Sequence, residues 1–268
     1  LVHRDLLVPD GPILRATRAP EEQTREFLAS RDNAFRPVGL ELGPDGALYL
    51  LDMHRDVIEH PDYIPKKLLE KQDVRAGDNL GRIYRLAPRG WPTRRDLPGG
   101  MAPDELVGLL SSPNQWTRLT AQRLLVAQRA TNTVTALRQV ATSAFEPLGR
   151  LHALWTLEGL GALDRDTLAA ALDDPIAYLR VNGLALARLG LLQTPKIALR
   201  AESLLADPHP EVRFLAALTA GDHDWVRVSD LVPVLERDVA FPWSRRAVLS
   251  SLGSRVHLLG LGIHGEQP

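Results

Sequence analysis

Cysteine is absent from the 268 residues. Its absence excludes disulfides, zinc–thiolate sites and a Cys-x-x-Cys-His haem attachment within this chain, and says nothing of compartment. Aromatic residues are scarce, at 5%, so any core must be built from aliphatic side chains and alanine, as in stacked helices. Charge of either sign is not in excess: the formal net charge is −1, which argues against an electrostatic grip on nucleic acid or an anionic membrane. No apolar run approaches the ~20 residues that a membrane-spanning helix needs. Motifs of the His-Glu-x-x-His, phosphate-loop, nucleophile-elbow and EF-hand kinds are also missing. The sequence opens at Leu1, in mid-strand pattern and without an initiator Met or signal peptide, and reads as an internal piece of something longer.

What is present falls into two halves of different period. In the first, Val38, Leu40 and Leu42 alternate with Gly39 and Glu41, the period of two that marks a half-buried strand. Pro44-Asp45-Gly46 then predicts a hairpin, because Pro presets φ and Gly tolerates the positive φ that closes the turn. Ala47 to Asp52 is the returning strand and Arg82 to Leu86 a third. Earlier, Val2 to Val8 and Ile13 to Arg18 read as strands joined at Pro9-Asp10-Gly11, with Glu26 to Ala29 as a possible short addition. Three short antiparallel strands with a polar insertion fit one propeller blade. About one and a half blades are present, which leaves open sheet edges unless partner blades sit elsewhere.

The run Phe35-Arg36-Pro37-Val38, the turn from Gly43 to Tyr49, Asp52-Met53, Ile58-Glu59-His60-Pro61 and Gly81-Arg82-Ile83-Tyr84-Arg85 together resemble the closing blade of a known propeller type. That type is the quinoprotein (sorbosone and glucose dehydrogenase-like) propeller of membrane-bound dehydrogenase proteins, in which HEAT repeats follow the propeller and a c-type cytochrome domain often comes last. The resemblance implies a parent oxidoreductase of a sugar or alcohol in the periplasm or another extracytoplasmic space. It also implies pyrroloquinoline quinone and calcium as the parent's cofactors, with haem c on a separate domain; none is expected to be bound by this chain alone. The family's catalytic base belongs to earlier blades, so no catalytic residue is carried across and this chain alone is expected to show no turnover.

Pro88, Gly90, Pro92, Pro98, Gly99, Gly100 and Pro103 mark a boundary, after which the period becomes 3.6. Arg118, Arg150, Arg180, Arg213 and Arg245 then recur 32, 30, 33 and 32 residues apart. Each opens an apolar helix, and most follow a loop such as Asp173-Asp174-Pro175 or Asp207-Pro208-His209-Pro210, where Asp caps and Pro starts a helix. First helices of the pairs are predicted around 106–110, 134–140, 168–172, 197–205 and 231–235. Helix pairs at a period just above thirty predict an α-solenoid, and the pattern resembles HEAT repeats, five in number. The fold class is therefore β plus α: a partial β-propeller over 1–88, a linker over 89–103, a HEAT-like α-solenoid over 104–252 and a tail over 253–268. The repeated Arg is expected to reach loop carboxylates or carbonyls of its own or the adjacent repeat.

The charged insertion of residues 53–80 holds the candidate site. His54, Glu59 and His60 suit a base, ligand or proton relay near pH 7, and Arg55 lies among them. The plainer reading is that Asp52, Arg55 and His60 pin an ordered loop by hydrogen bonds. Arg36 at a strand entrance suits an anionic cofactor or carboxylate, or alternatively an ion pair between blades. The apolar Val57, Ile58, Tyr63, Ile64 and Leu68-Leu69 are expected to anchor the insertion, leaving His54 and His60 on its exposed side. Asp222-His223-Asp224 and His209 are read as loop residues and caps before metal ligands. The expected partners are the rest of the polypeptide, with its missing blades, and a protein on the solenoid. A second class of function is a plain interaction scaffold with a degenerate propeller.

Overall fold

The computed structural model describes residues 1–71, 73–93, 98–190, 194–221 and 227–253. These fall into two compact units, the first holding residues 1–7, 16–93 and 114–116 and the second residues 8–15, 98–113 and the helices from residue 117 onward. In the N-terminal half, β1 (Asp5–Asp10) and β2 (Ile13–Arg18) pair as a two-stranded sheet, and β3 (Pro37–Leu42), β4 (Leu48–Asp52) and β5 (Arg82–Leu86) form an antiparallel sheet in that order.

The β3–β4 turn is where the sequence places it. Gly46 takes φ +77°, its N–H donates to the Gly43 carbonyl at 2.9 Å, and Ala47 N–H donates to Asp45 Oδ1 at 3.0 Å. Leu42 then faces Leu48 and Leu40 faces Leu50 across the ladder. Two expectations need correction. Residues 1–88, expected to be mostly strand, have strands over less than half their length, and Glu26–Ala29 contributes only the isolated bridge Val2–Leu28. The alternating face is also exposed, Val38 by 62% and Leu40 by 42%. Alternation marks a face as apolar, but burial needs a covering layer, and the buried apolar set of this half is small: Val2, Ala19, Ala34, Ala47 and Leu50.

The region 53–80 contains a 3-10 turn, Pro61–Tyr63, and one short helix, α1 (Lys66–Leu69). Ten helices follow among the described residues: α2 (Pro103–Leu109), α3 (Gln115–Ala127), α4 (Val134–Ser143), α5 (Pro147–Gly159), α6 (Arg165–Leu172), α7 (Ala177–Arg188), α8 (Pro195–Ser203), α9 (Pro210–Ala220), α10 (Val228–Arg237) and α11 (Pro242–Leu252). Proline opens α2, α5, α8, α9 and α11, where its missing N–H leaves no helical bond unmade. Asp164 caps α6 by accepting from Thr167 N–H at 2.8 Å.

Contacts run in two series. Helices α5, α7, α9 and α11 pack each on the next, as do α2, α4, α6 and α8, while α4 lies on α5, α6 on α7 and α10 on α11. One continuous apolar cluster runs from Leu106 to Leu252 through Leu125, Leu137, Leu154, Leu168, Leu184 and Val212. At about 1.5–3 kcal/mol for each fully buried aliphatic side chain, this cluster is the main source of stability. No described helix is long and apolar enough to cross a membrane.

Candidate functional site

The insertion grows out of the end of β4. Asp52 is buried, and its Oδ1 accepts the backbone N–H groups of Arg36 at 2.8 Å and His54 at 2.9 Å. Burial opposes ionisation of Asp52, but those two N–H groups, with the charges of His54 and Arg82, hold its carboxyl below the ordinary value. His54 has φ +51°, the left-handed region that non-glycine residues seldom occupy. Gly77 lies against it: a Cβ there would come within 2.2 Å of the His54 carbonyl.

This geometry turns His54 inward, so its expected place on the exposed side is wrong; the residue is 8% exposed. Its Nδ1 and Asp52 Oδ2 are both buried without a hydrogen-bond partner, 3.7 Å apart, and Asp32 Oδ2 lies 3.8 Å from the same Nδ1. Arg36 also differs from its candidate role. Its guanidinium donates to the backbone carbonyls of Asn33, Phe35 and Asp56, so it staples the loop, and among the described residues it makes no ion pair.

The other three candidates come together. Arg55, Glu59 and His60 line an open cavity of about 570 Å³ with Met53, Val57, Ile58, Val74, Arg75 and Asp78. Arg55 Nη2 donates to the Val74 carbonyl at 3.4 Å and Arg75 Nε to Asp78 Oδ2 at 3.2 Å. His60 is exposed, with its Nδ1 accepting from Asp62 N–H at 3.4 Å. The expected apolar anchors only partly hold, since Val57, Ile64 and Leu69 are half-buried but Ile58 is 60% exposed, Tyr63 80% and Leu68 52%. The loop is instead closed by polar bonds from Arg36, Arg55 and Asp52. A polar cluster that the sequence reading missed sits at the hairpin turn. Buried Asp45 accepts from Arg85 Nε at 2.6 Å and from Tyr49 hydroxyl at 3.3 Å, and its carbonyl accepts from Trp91 Nε1 at 2.7 Å. Its only sequence signal was a loop Asp in a Pro-Asp-Gly turn.

The repeated arginines are the most regular feature. All five occupy the fourth residue of α3, α5, α7, α9 and α11. The first four donate Nη1 to the carbonyl six residues upstream: Arg118 to Ser112 at 2.7 Å, Arg150 to Ala144 at 2.7 Å, Arg180 to Asp174 at 2.7 Å and Arg213 to Asp207 at 2.6 Å. Three of them also grip, through Nε and Nη2, the carboxylate of the next helix pair's turn. Arg150 holds Asp174 at 2.8 and 3.1 Å, Arg180 holds Asp207 at 2.7 and 2.9 Å, and Arg213 holds Asp238 in the same way. Asp174 and Asp207 additionally accept the N–H two residues on, from Ile176 and His209. The result is a buried ladder of charge-assisted bonds along successive helices, as expected of Arg150, Arg180 and Arg213.

Among the described residues no three acidic or histidine side chains converge as a metal site. Asp222-His223-Asp224 lies outside the described residues, and His209 is an exposed turn residue. One family model, Domain of unknown function (DUF7133), matches residues 1–90, about a third of the chain. No curated protein and no solved structure matches.

Proposed function

We propose that α2–α11 form an α-solenoid of HEAT type that acts as a scaffold or spacer. In this reading β3–β5 is the closing blade of a quinoprotein-like propeller in a sugar or alcohol dehydrogenase, whose other blades carry the chemistry. The observation that carries the scaffold half is the Arg–Asp ladder, in which one residue at one helical position makes the same two contacts three times over. The dehydrogenase half rests on the resemblance of residues 35–86.

This chain's residues do not by themselves fit pyrroloquinoline quinone with calcium. Arg36 is engaged by three backbone carbonyls, Arg55 by a fourth, and the described carboxylates do not converge on a common point. No reaction step is therefore assigned to them. The cavity beside Arg55, Glu59 and His60 offers a binding surface with two guanidinium groups, Arg55 and Arg75, two carboxylates, Glu59 and Asp78, and one imidazole.

The test is an assay of the full-length polypeptide loaded with pyrroloquinoline quinone and calcium, against a panel of aldoses and alcohols with a dye acceptor. Dye reduction by the full-length protein and none by residues 1–268 is expected. Absence of turnover in both, with the solenoid intact by circular dichroism, would leave the plain scaffold as the correct reading. The ladder favours that second reading equally.

A further inference from the structure

Arg118 departs from its siblings in the ladder. Arg150 and Arg180 spend Nε and Nη2 on Asp174 and Asp207, and each carboxylate also takes the N–H two residues on, from Ile176 at 2.9 Å and His209 at 2.8 Å. Three donors thus converge on one carboxylate in each of those turns. The turn that follows Arg118 has Ala144 in the place of the aspartate. Its backbone follows that of Asp207, and its carbonyl accepts from Arg150 as those of Asp174 and Asp207 accept from Arg180 and Arg213. Helices α3 and α5 are bridged as α5 and α7 are: His152 Nδ1 lies 2.6 Å from Gln122 Oε1, and Trp155 Nε1 donates to Asn182 Oδ1 at 2.9 Å. The same three donors therefore recur. Arg118 is 7% exposed, with Nη1 on the Ser112 and Pro113 carbonyls and Nε buried without a partner. Among the described residues Arg118 makes no ion pair, and the Glu146 N–H donates to no oxygen. Both helix pairs around this point, α2–α3 and α4–α5, are described throughout.

We infer that Arg118 and the Glu146 N–H form a binding site for a small carboxylate, formate or acetate in size, held as the ladder holds its own aspartates. The donor set selects this ligand, because a guanidinium fork matches the two oxygens of a planar carboxylate, and three sibling arginines pair with nothing else in their forks. Its size follows from Ala144, whose methyl stands where the aspartate Cβ does, so the ligand supplies the carboxyl group and a short tail. The turn lies at the surface, with Ala144 half-buried and Phe145 and Glu146 exposed. The inference stands on the contacts of the ladder and goes beyond the scaffold reading, whichever account of the strand half is right.

The probe is sodium acetate, followed on the full chain by saturation-transfer NMR and by thermal melting against sodium chloride at equal ionic strength. The parent chain should transfer saturation to the acetate methyl. It should also gain about 2–4 °C in unfolding temperature over chloride, the shift a ligand at several times its Kd gives a protein of this size. Ala144→Asp supplies the carboxylate from the chain itself and should lose both responses while staying folded. Arg118→Met should lose them too, and Glu146→Gln should keep them. Responses that persist in Ala144→Asp, or that are absent from the parent chain, would overturn the inference. A response seen only in Glu146→Gln would also overturn it, by placing the chain's own Glu146 carboxylate in the fork. So would saturation of N-acetylaspartate amide without saturation of acetate, since the ligand would then be the acidic side chain of a partner.

Discussion

Replacing Ala144 by Asp should stabilise the protein. Arg118 Nη1 is satisfied by the Ser112 and Pro113 carbonyls at 2.7 and 3.0 Å, but its Nε is buried with no partner. The next turn, which elsewhere provides an aspartate, has Ala144 at that place. Its backbone is already set: Ala144 has φ −63° and ψ 136°, against φ −55° and ψ 144° at Asp207. Ala144 also accepts from Arg150 through its carbonyl as Asp207 does from Arg213. A carboxylate there would meet Arg118 in the same fork and accept Glu146 N–H as Asp207 accepts that of His209. An unsatisfied buried donor costs about 1–3 kcal/mol, and desolvating the new carboxylate with Glu146 nearby opposes part of the gain. The net expectation is about 1–2 kcal/mol, a rise of roughly 2–8 °C in unfolding temperature for a protein of this size. Calorimetric melting of Ala144→Asp, Arg118→Met and the double variant measures it. A gain that survives in the Arg118→Met background, or no gain at all, refutes the reasoning.

Three further outcomes are expected. Arg180→Met leaves Asp207 buried without its cation and should cost about 3–5 kcal/mol in denaturant unfolding, whereas the exposed Arg245→Met should cost almost nothing; equal losses would contradict the ladder. Gly77→Ala forces a methyl to within 2.2 Å of the His54 carbonyl at φ +88° and should cost about 1–3 kcal/mol, while unchanged stability would mean that the His54 turn is not held there. Burial first, and then the Arg118 charge, push His152 down to about 4 from an ordinary 6.5, so the unfolded chain binds a proton in that interval and the folded chain does not. Stability should therefore fall as pH drops from about 6.5 to about 4 and level off below. His152→Gln should show a shallower fall, and an identical pH profile would rule the assignment out.

The helical half was legible because a stacked pair must reuse its spacing. Arg118, Arg150, Arg180, Arg213 and Arg245 expose that period, and Asp173-Asp174-Pro175 and Asp207-Pro208 mark the turns between. The hairpin was legible for a local reason, since Pro44-Asp45-Gly46 encodes its own backbone angles. The candidate site was less so. The inward turn of His54 depends on a left-handed backbone angle and on Gly77, twenty-three residues away, and neither has a periodic signature. Arg36 looked free for an anion because sequence does not show that three backbone carbonyls converge on it. Alternation at Val38, Leu40 and Leu42 names an apolar face without saying what covers it.

The reach of each arginine back to its own turn also governs where chain length can vary. That reach is six residues in four successive pairs, while the outward span from arginine to the next pair's aspartate is 24, 27 or 25. An insertion between Asp174 and Arg180 would displace the carbonyl that Arg180 uses. It would also shift the register of the carboxylate that Arg150 uses, breaking two helix interfaces with one residue. An insertion in the turn after Ala127 meets no such constraint. Length polymorphism and grafted loops belong there, so the ladder divides the helical half into segments of fixed length and segments open to change.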